Sequence, residues 1–118
     1  MADFAITAHG SALYFMNGEL DIATVPLMEL AIADAVVRGG PITLDMTDVT
    51  FADSSGIGAI TKSAKSLPTG CVVLHGVQEE VGRVIDLMGI RQGLPSLHVI
   101  PCLDGGDPGR APVEEPST

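Results

Sequence analysis

The sequence predicts a single α/β domain with a mixed, mostly parallel five-stranded sheet and three helices in the order β-β-α-β-α-β-α-β. Three observations carry this reading. Short alternating apolar runs recur along the chain, helical patterns separate every later pair of them, and Gly/Pro punctuation falls between the two kinds of segment. At 118 residues there is room for one domain.

The elements follow in order. Phe4, Ile6 and Ala8 alternate with polar or small residues, His9-Gly10-Ser11 supplies a turn, and a second run from Ala12 to Met16 ends at Asn17-Gly18. This predicts a β-hairpin. Thr24 is placed to cap the first helix, whose first turn accepts Pro26 because an N–H there would have no intrahelical partner. The helix stops at Arg38-Gly39-Gly40-Pro41. Met28, Ile32, Ala35 and Val36 form its core stripe, while Leu27, Leu30, Ala31 and Val37 lie off it with few charges between them. Such a second apolar face points to a partner or a homodimer surface.

Ile42, Leu44 and Met46 alternate with Thr43 and Asp45 as a third strand, and a connector runs to Ala52. The block Asp53-Ser54-Ser55-Gly56-Ile57-Gly58 then opens a short second helix ending near Ser66. Leu67-Pro68-Thr69-Gly70 breaks the chain, and Cys71 to Leu74 is apolar on both faces, as in a strand covered on both sides. Glu79 and Glu80 open a third helix, where negative charge suits the dipole. Val81, Val84, Ile85 and Met88 are its buried stripe, Gly89-Ile90 its C-cap, and Leu97 to Ile100 the last strand.

Right-handed crossovers make strands two to five parallel, with the first antiparallel at one edge. The turns at Gly18 to Asp21, Asp53-Ser54 and His75-Gly76 then converge on the rim at the strands' carboxyl ends, where open α/β sheets place their sites. Residues 1–102 are read as the domain. From 103 to 118 the chain is acidic, rich in Pro and Gly and without apolar period, which predicts a disordered tail.

Composition narrows the function. The core must be aliphatic and Met-filled, since 46% of residues are hydrophobic but only 3% aromatic and none is Trp. Fifteen acidic residues against six basic give a net charge of −9, which argues against nucleic acid and anionic membranes as partners. No apolar run approaches the roughly 18 residues of a membrane span, and Met1-Ala2-Asp3 begins no signal peptide, so a cytoplasmic protein is expected. Cys71 and Cys102 stand apart with no CxxC and read as reduced thiols. Neither metal nor cofactor is expected: Gly56-x-Gly58 lacks the third glycine of a dinucleotide fingerprint, and there is no Walker lysine motif.

Gly18-Glu19-Leu20-Asp21, then Asp45, then Phe51-Ala52-Asp53-Ser54-Ser55-Gly56-Ile57-Gly58 stand at the spacing of one family. From about Ala5 to Pro101 the chain resembles the anti-sigma factor antagonists of the STAS (sulfate transporter and anti-sigma factor antagonist) family. The resemblance implies a STAS-like fold and a partner switch. The unphosphorylated domain binds an anti-sigma serine kinase and frees a sigma factor; the kinase phosphorylates the serine after the Asp, here Ser54, and a serine phosphatase reverses it. It further implies that the acidic position before the first helix is Asp21. Family members usually end in a further helix on the sheet, where this chain has its Pro/Gly-rich tail.

The residues are compatible with that role. Ser54 is expected at a helix N-terminus, where a phosphate would meet free N–H groups, while Asp53 and Asp21 would repel it. Ser55 is the alternative acceptor. Asp21, Asp53, Ser54, Ser55 and Gly56, with Leu27 and Leu30, form the expected partner-binding set. Two other readings remain: a STAS binding subunit of a transporter or larger signalling assembly without phosphorylation, and a small serine hydrolase using Ser54, His75 and Asp21. The hydrolase lacks the Gly-x-Ser-x-Gly elbow and a glycine-rich oxyanion loop.

Overall fold

A computed structural model describes residues 4–10, 12–67, 72–90 and 97–101. The elements are β1 (Phe4–His9), β2 (Leu13–Leu20), α1 (Val25–Val37), β3 (Ile42–Ala52), α2 (Ser54–Lys65), β4 (Val72–Val77), α3 (Glu79–Leu87) and β5 (Leu97–Pro101). They form one sheet in the spatial order β1-β2-β3-β4-β5. β1 is antiparallel to β2 at one edge, and β2 through β5 run parallel, as the crossover rule requires.

Each crossover joins neighbouring strands in the same spatial direction, so a constant right-handed sense puts α1, α2 and α3 on one face of the sheet. Burial alternates accordingly. Tyr14, Met16, Ile42, Leu44, Met46, Val72, Leu74 and Leu97 face the helices and are buried against Met28 and Ile32 of α1, Ile57 and Ile60 of α2, and Val81 and Ile85 of α3. The intervening row, Phe15, Asp45, His75 and Ile100, lies in register across β2 to β5 and is exposed or half-buried. Among the described residues, the strand opened by Val72 is therefore covered fully on one side only: Val73 is half-buried and His75 exposed, against the two-sided burial its apolar run suggested.

Three strands are longer than the turn signals implied. β2 runs through Asn17-Gly18 to Leu20, with Gly18 at φ 100° and shifts of register against β3 on either side of it. The glycine serves a bulge and not a strand end. The presumed connector before Ala52 is strand too, because Asp48, Val49, Phe51 and Ala52 pair with Asn17, Gly18, Glu19 and Leu20. His75-Gly76 lies inside β4, where Gly76 takes φ 74°.

Two local expectations change. Met88 follows α3 and is exposed, since the buried stripe ends at Ile85; Ile90 is the residue that returns to the core beyond Gly89, at φ 67°. Thr24 occupies the cap position of α1 but its hydroxyl makes no cap hydrogen bond. Cys71, Cys102 and the segments 68–70 and 103–118, on which the thiol, chain-break and tail expectations fall, lie outside the described residues.

Candidate functional site

The rim is organised around the end of β2. The Asp53 N–H donates to the Leu20 carbonyl at 3.2 Å, tying the turn that leaves β3 to the turn that leaves β2. Gly56 is buried on the same carbonyl: a Cβ there would stand 2.6 Å from the Leu20 oxygen and 2.8 Å from its Cγ. Only glycine lets the first turn of α2 lie this close to β2. Asp21 and Ser54, each one residue beyond a member of the Leu20–Asp53 pair, are thereby brought to one rim.

The turn into α1 is built by side chains. The Asp21 carboxylate accepts from the N–H groups of Ala23 at 3.0 Å and Thr24 at 3.2 Å, the arrangement of an Asx turn. Buried Thr24 donates its hydroxyl to the Glu19 carbonyl at 2.8 Å and accepts from the Asp21 N–H at 2.9 Å. That bond across five residues closes the loop, which explains why the hydroxyl does not cap its own helix. Ile22, 77% exposed, is left at the loop's tip.

Asp53 is the N-cap of α2. Its carboxylate accepts from the N–H groups of Ser55 at 3.0 Å and Gly56 at 3.1 Å and from the Ser55 hydroxyl at 2.6 Å. The Ser55 hydroxyl bond is the main cause holding the carboxyl below the usual Asp range; burial acts in the opposite direction, and the Gly56 and Ser55 N–H bonds reinforce the lowering.

This geometry separates the two serines. Ser55 is half-buried and its hydroxyl is committed to Asp53. Ser54, the first residue of α2, is exposed, and among the described residues no hydrogen bond engages its hydroxyl. It also corrects the expected electrostatics. The N–H groups that a phosphate on Ser54 would have met are already taken by Asp53, whose charge offsets the positive end of the helix dipole. A phosphate there sits beside a carboxylate with little to compensate it.

Asp21, Asp53, Ser54, Ser55 and Gly56 thus form one cluster. Leu27 and Leu30 are outside it, on the solvent side of α1 at 51% and 78% exposure. His75 belongs to the face of the sheet turned away from α1, α2 and α3, where its Nδ1 lies 3.7 Å from an Asp45 oxygen. A shallow hollow of about 270 Å³ between the end of β3 and α3 is lined by Thr50, Phe51, Ala52, Glu80, Arg83 and Val84, and includes none of Ser54, Asp21 and His75. The sequence reading missed the Leu20 carbonyl as the hub, the Thr24–Glu19 bond and exposed Ile22. Only the Asp-x-x-Thr spacing from Asp21 to Thr24 signalled any of these.

Comparison with known proteins bears on this arrangement. The STAS domain profile matches residues 4–101. An anti-sigma-B factor antagonist from Staphylococcus epidermidis is 30% identical over 79 residues, covering 64% of this chain and 73% of that protein. Another, from Listeria monocytogenes, is 30% identical over 79 residues, covering 64% and 69%. The crystal structure of an anti-sigma factor antagonist from Mycobacterium paratuberculosis superposes with a TM-score of 0.65 at 25% identity, covering 90% of this chain and 91% of that one.

Proposed function

This chain belongs to the STAS domain family, and from that premise we propose that it is a cytoplasmic anti-sigma factor antagonist, a regulator and not an enzyme, switched by phosphorylation at Ser54. In the unphosphorylated state it binds an anti-sigma factor serine kinase. The kinase modifies Ser54, the complex dissociates, and a serine phosphatase restores the binding form. The observation that carries this reading is the contrast at the head of α2 between exposed, unengaged Ser54 and Ser55 held by Asp53.

The switch is electrostatic. A phosphoserine carries about −1.5 to −2 charges, and at Ser54 it would stand beside the Asp53 carboxylate with the nearest helix N–H groups already used. Unpaired charge buried under a docked partner costs several kcal/mol, which corresponds to roughly two or more decades of affinity. The fold is spared, because the Ser54 side chain bears no part of the core. Asp21 and Ile22 extend the contact rim, and the apolar side of α1 with Leu27 and Leu30 offers a second patch to the kinase or to another copy of the chain.

The experiment is phosphorylation by an anti-sigma factor kinase followed by site mapping and calorimetric binding. Wild type and Ser55→Ala should take one phosphate at Ser54; Ser54→Ala should take none there and bind constitutively. Ser54→Asp should bind weakly with an unchanged circular dichroism spectrum. Full phosphorylation of Ser54→Ala, or tight binding by Ser54→Asp, would overturn the proposal.

A further inference from the structure

Two surfaces on the same side of the molecule stand open, and we infer that a second copy of this chain closes both, joining β1 to β1 and α1 to α1 about a two-fold axis. β1 is an edge of the sheet, and among the described residues no strand pairs its outer side. Edge strands are commonly blunted by lysine, proline or a bulge. β1 has none of these. Phe4–His9 contains no proline and no Lys, Arg, Asp or Glu, and its register with β2 is unbroken from Phe4 opposite Gly18 to His9 opposite Leu13. Its outer row of N–H and C=O groups is a template for one more strand.

The second surface lies over the same edge. α1 packs on β1 beneath it and on α2 beside it, so it is the outermost of the three helices. The crossover from β2 to β3 is right-handed and α1 runs opposite to β2. The flank of α1 turned away from α2 therefore carries Leu27, Ala31 and Asp34, at i, i+4 and i+7, with Leu30 at its outer margin. The opposite flank holds Val25 and Val36, both half-buried against the core, while Leu27 and Leu30 are exposed.

A second copy meets both surfaces at once, which selects it over an unrelated partner. A two-fold axis perpendicular to the sheet sets the two β1 strands antiparallel with like faces aligned. Ile6 stays on the helix side, Thr7 on the other, and the two sheets become one. The same axis sets the two α1 helices antiparallel above the junction. Each seated over β1 and β2 of its own copy, they run about 10 Å apart, two strand spacings, which is the distance at which helices pack. Leu27 and Leu30 then meet their counterparts. An extended peptide would fill the edge and leave the helix flank bare, and a lone helix would do the reverse. Charge does not oppose the contact: the chain carries −9, but β1 is uncharged and the flank of α1 presents Asp34 already paired with Arg38. Ser54, at the end of β3 and two strands in from the junction, stays open in both copies, so the inference is independent of the switch.

The test is sedimentation of the 118-residue chain over about 1 to 200 µM, with amide hydrogen exchange at both ends of that range. Wild type should pass from monomer to dimer, and the amides of β1 should slow as it does. Thr7→Lys sets like charges beside the strand junction, and Leu27→Glu sets them between the helices. Each should raise the dissociation constant about tenfold or more. Both side chains are exposed, so melting temperatures taken where wild type is monomeric should not change. Mixing Leu27→Glu with Leu27→Lys should restore the dimer, which damage to the fold could not do. A chain that stays monomeric across the range would overturn the inference, as would protection of β1 that appears only when an anti-sigma factor kinase is added. A dimer that survives either Thr7→Lys or Leu27→Glu forms through another surface and overturns it too.

Discussion

At the scale of single residues, the site depends on what Asp53 does with its carboxylate. It is the cap of α2, and its lowered pKa means that the folded state holds the ionised form more tightly than the unfolded chain does. A depressed carboxylate pKa contributes stability that is complete above the ordinary Asp value of about 3.9 and is lost as pH falls through the lower folded value. Asp53→Ala should therefore cost about 0.5–2 kcal/mol at neutral pH, and the gap to wild type should narrow below about pH 4. Asp53→Asn, which keeps an acceptor without the charge, should stay near wild type and lose that pH dependence. Chemical denaturation of the three proteins from pH 3 to 7 measures this, and a gap that stays constant across the range would exclude the carboxylate as its source. The motif made Asp53, Ser54 and Ser55 legible as a group. Ser54 was legible as the exposed acceptor, with Ser55 as the alternative; what holds Ser55 back was not, because it is a 2.6 Å bond between side chains two residues apart.

At the scale of elements, the number, type and direction of strands and helices could be read from periodicity, and their ends could not. Asn17-Gly18 and His75-Gly76 have turn composition, yet both lie within strands because sheet partners on either side outweigh the local preference. Gly76 has a specific reason to be glycine: its φ is 74°, and an added Cβ would run into the Thr47 side chain across the sheet. The junction is tightened by Gln78, whose amide donates to the Thr47 carbonyl at 2.5 Å. Gly76→Ala should lower stability by about 2 kcal/mol or more, from both the left-handed backbone and the collision. Removing the obstructing hydroxyl with Thr47→Ala should return part of that loss, leaving the backbone strain. A double-mutant cycle of melting curves reads the coupling directly, and strict additivity of the two changes would mean that Thr47 is not the obstacle.

At the scale of the whole molecule, the simple order β1-β2-β3-β4-β5 sets what the domain can and cannot cover. Parallel crossovers of one hand between adjacent strands place α1, α2 and α3 on one side, so the row Phe15, Asp45, His75 and Ile100 is open among the described residues. Direction and adjacency were legible from the element order; a thinly covered sheet face was signalled by the Pro/Gly-rich tail in place of a last helix, while Val72, Val73 and Leu74, with the composition of a strand buried on both faces, pointed the other way. The same topology shows where the core is closed. Its buried side chains run from Tyr14 to Leu97, with Phe4, Ile6 and Val99 packed against them. Residues 104–118 contribute Asp104, Asp107, Glu114, Glu115 and three prolines but only Ala111 and Val113 as apolar side chains, too little to match an open sheet face. Deleting them should therefore change stability by less than about 0.5 kcal/mol and leave kinase binding at the value of the 118-residue chain. Differential scanning calorimetry and titration of the shortened chain make the test. A clear drop in melting temperature would mean that this segment lies over Phe15 and Ile100, taking the place of the helix that other members of the family pack on the sheet.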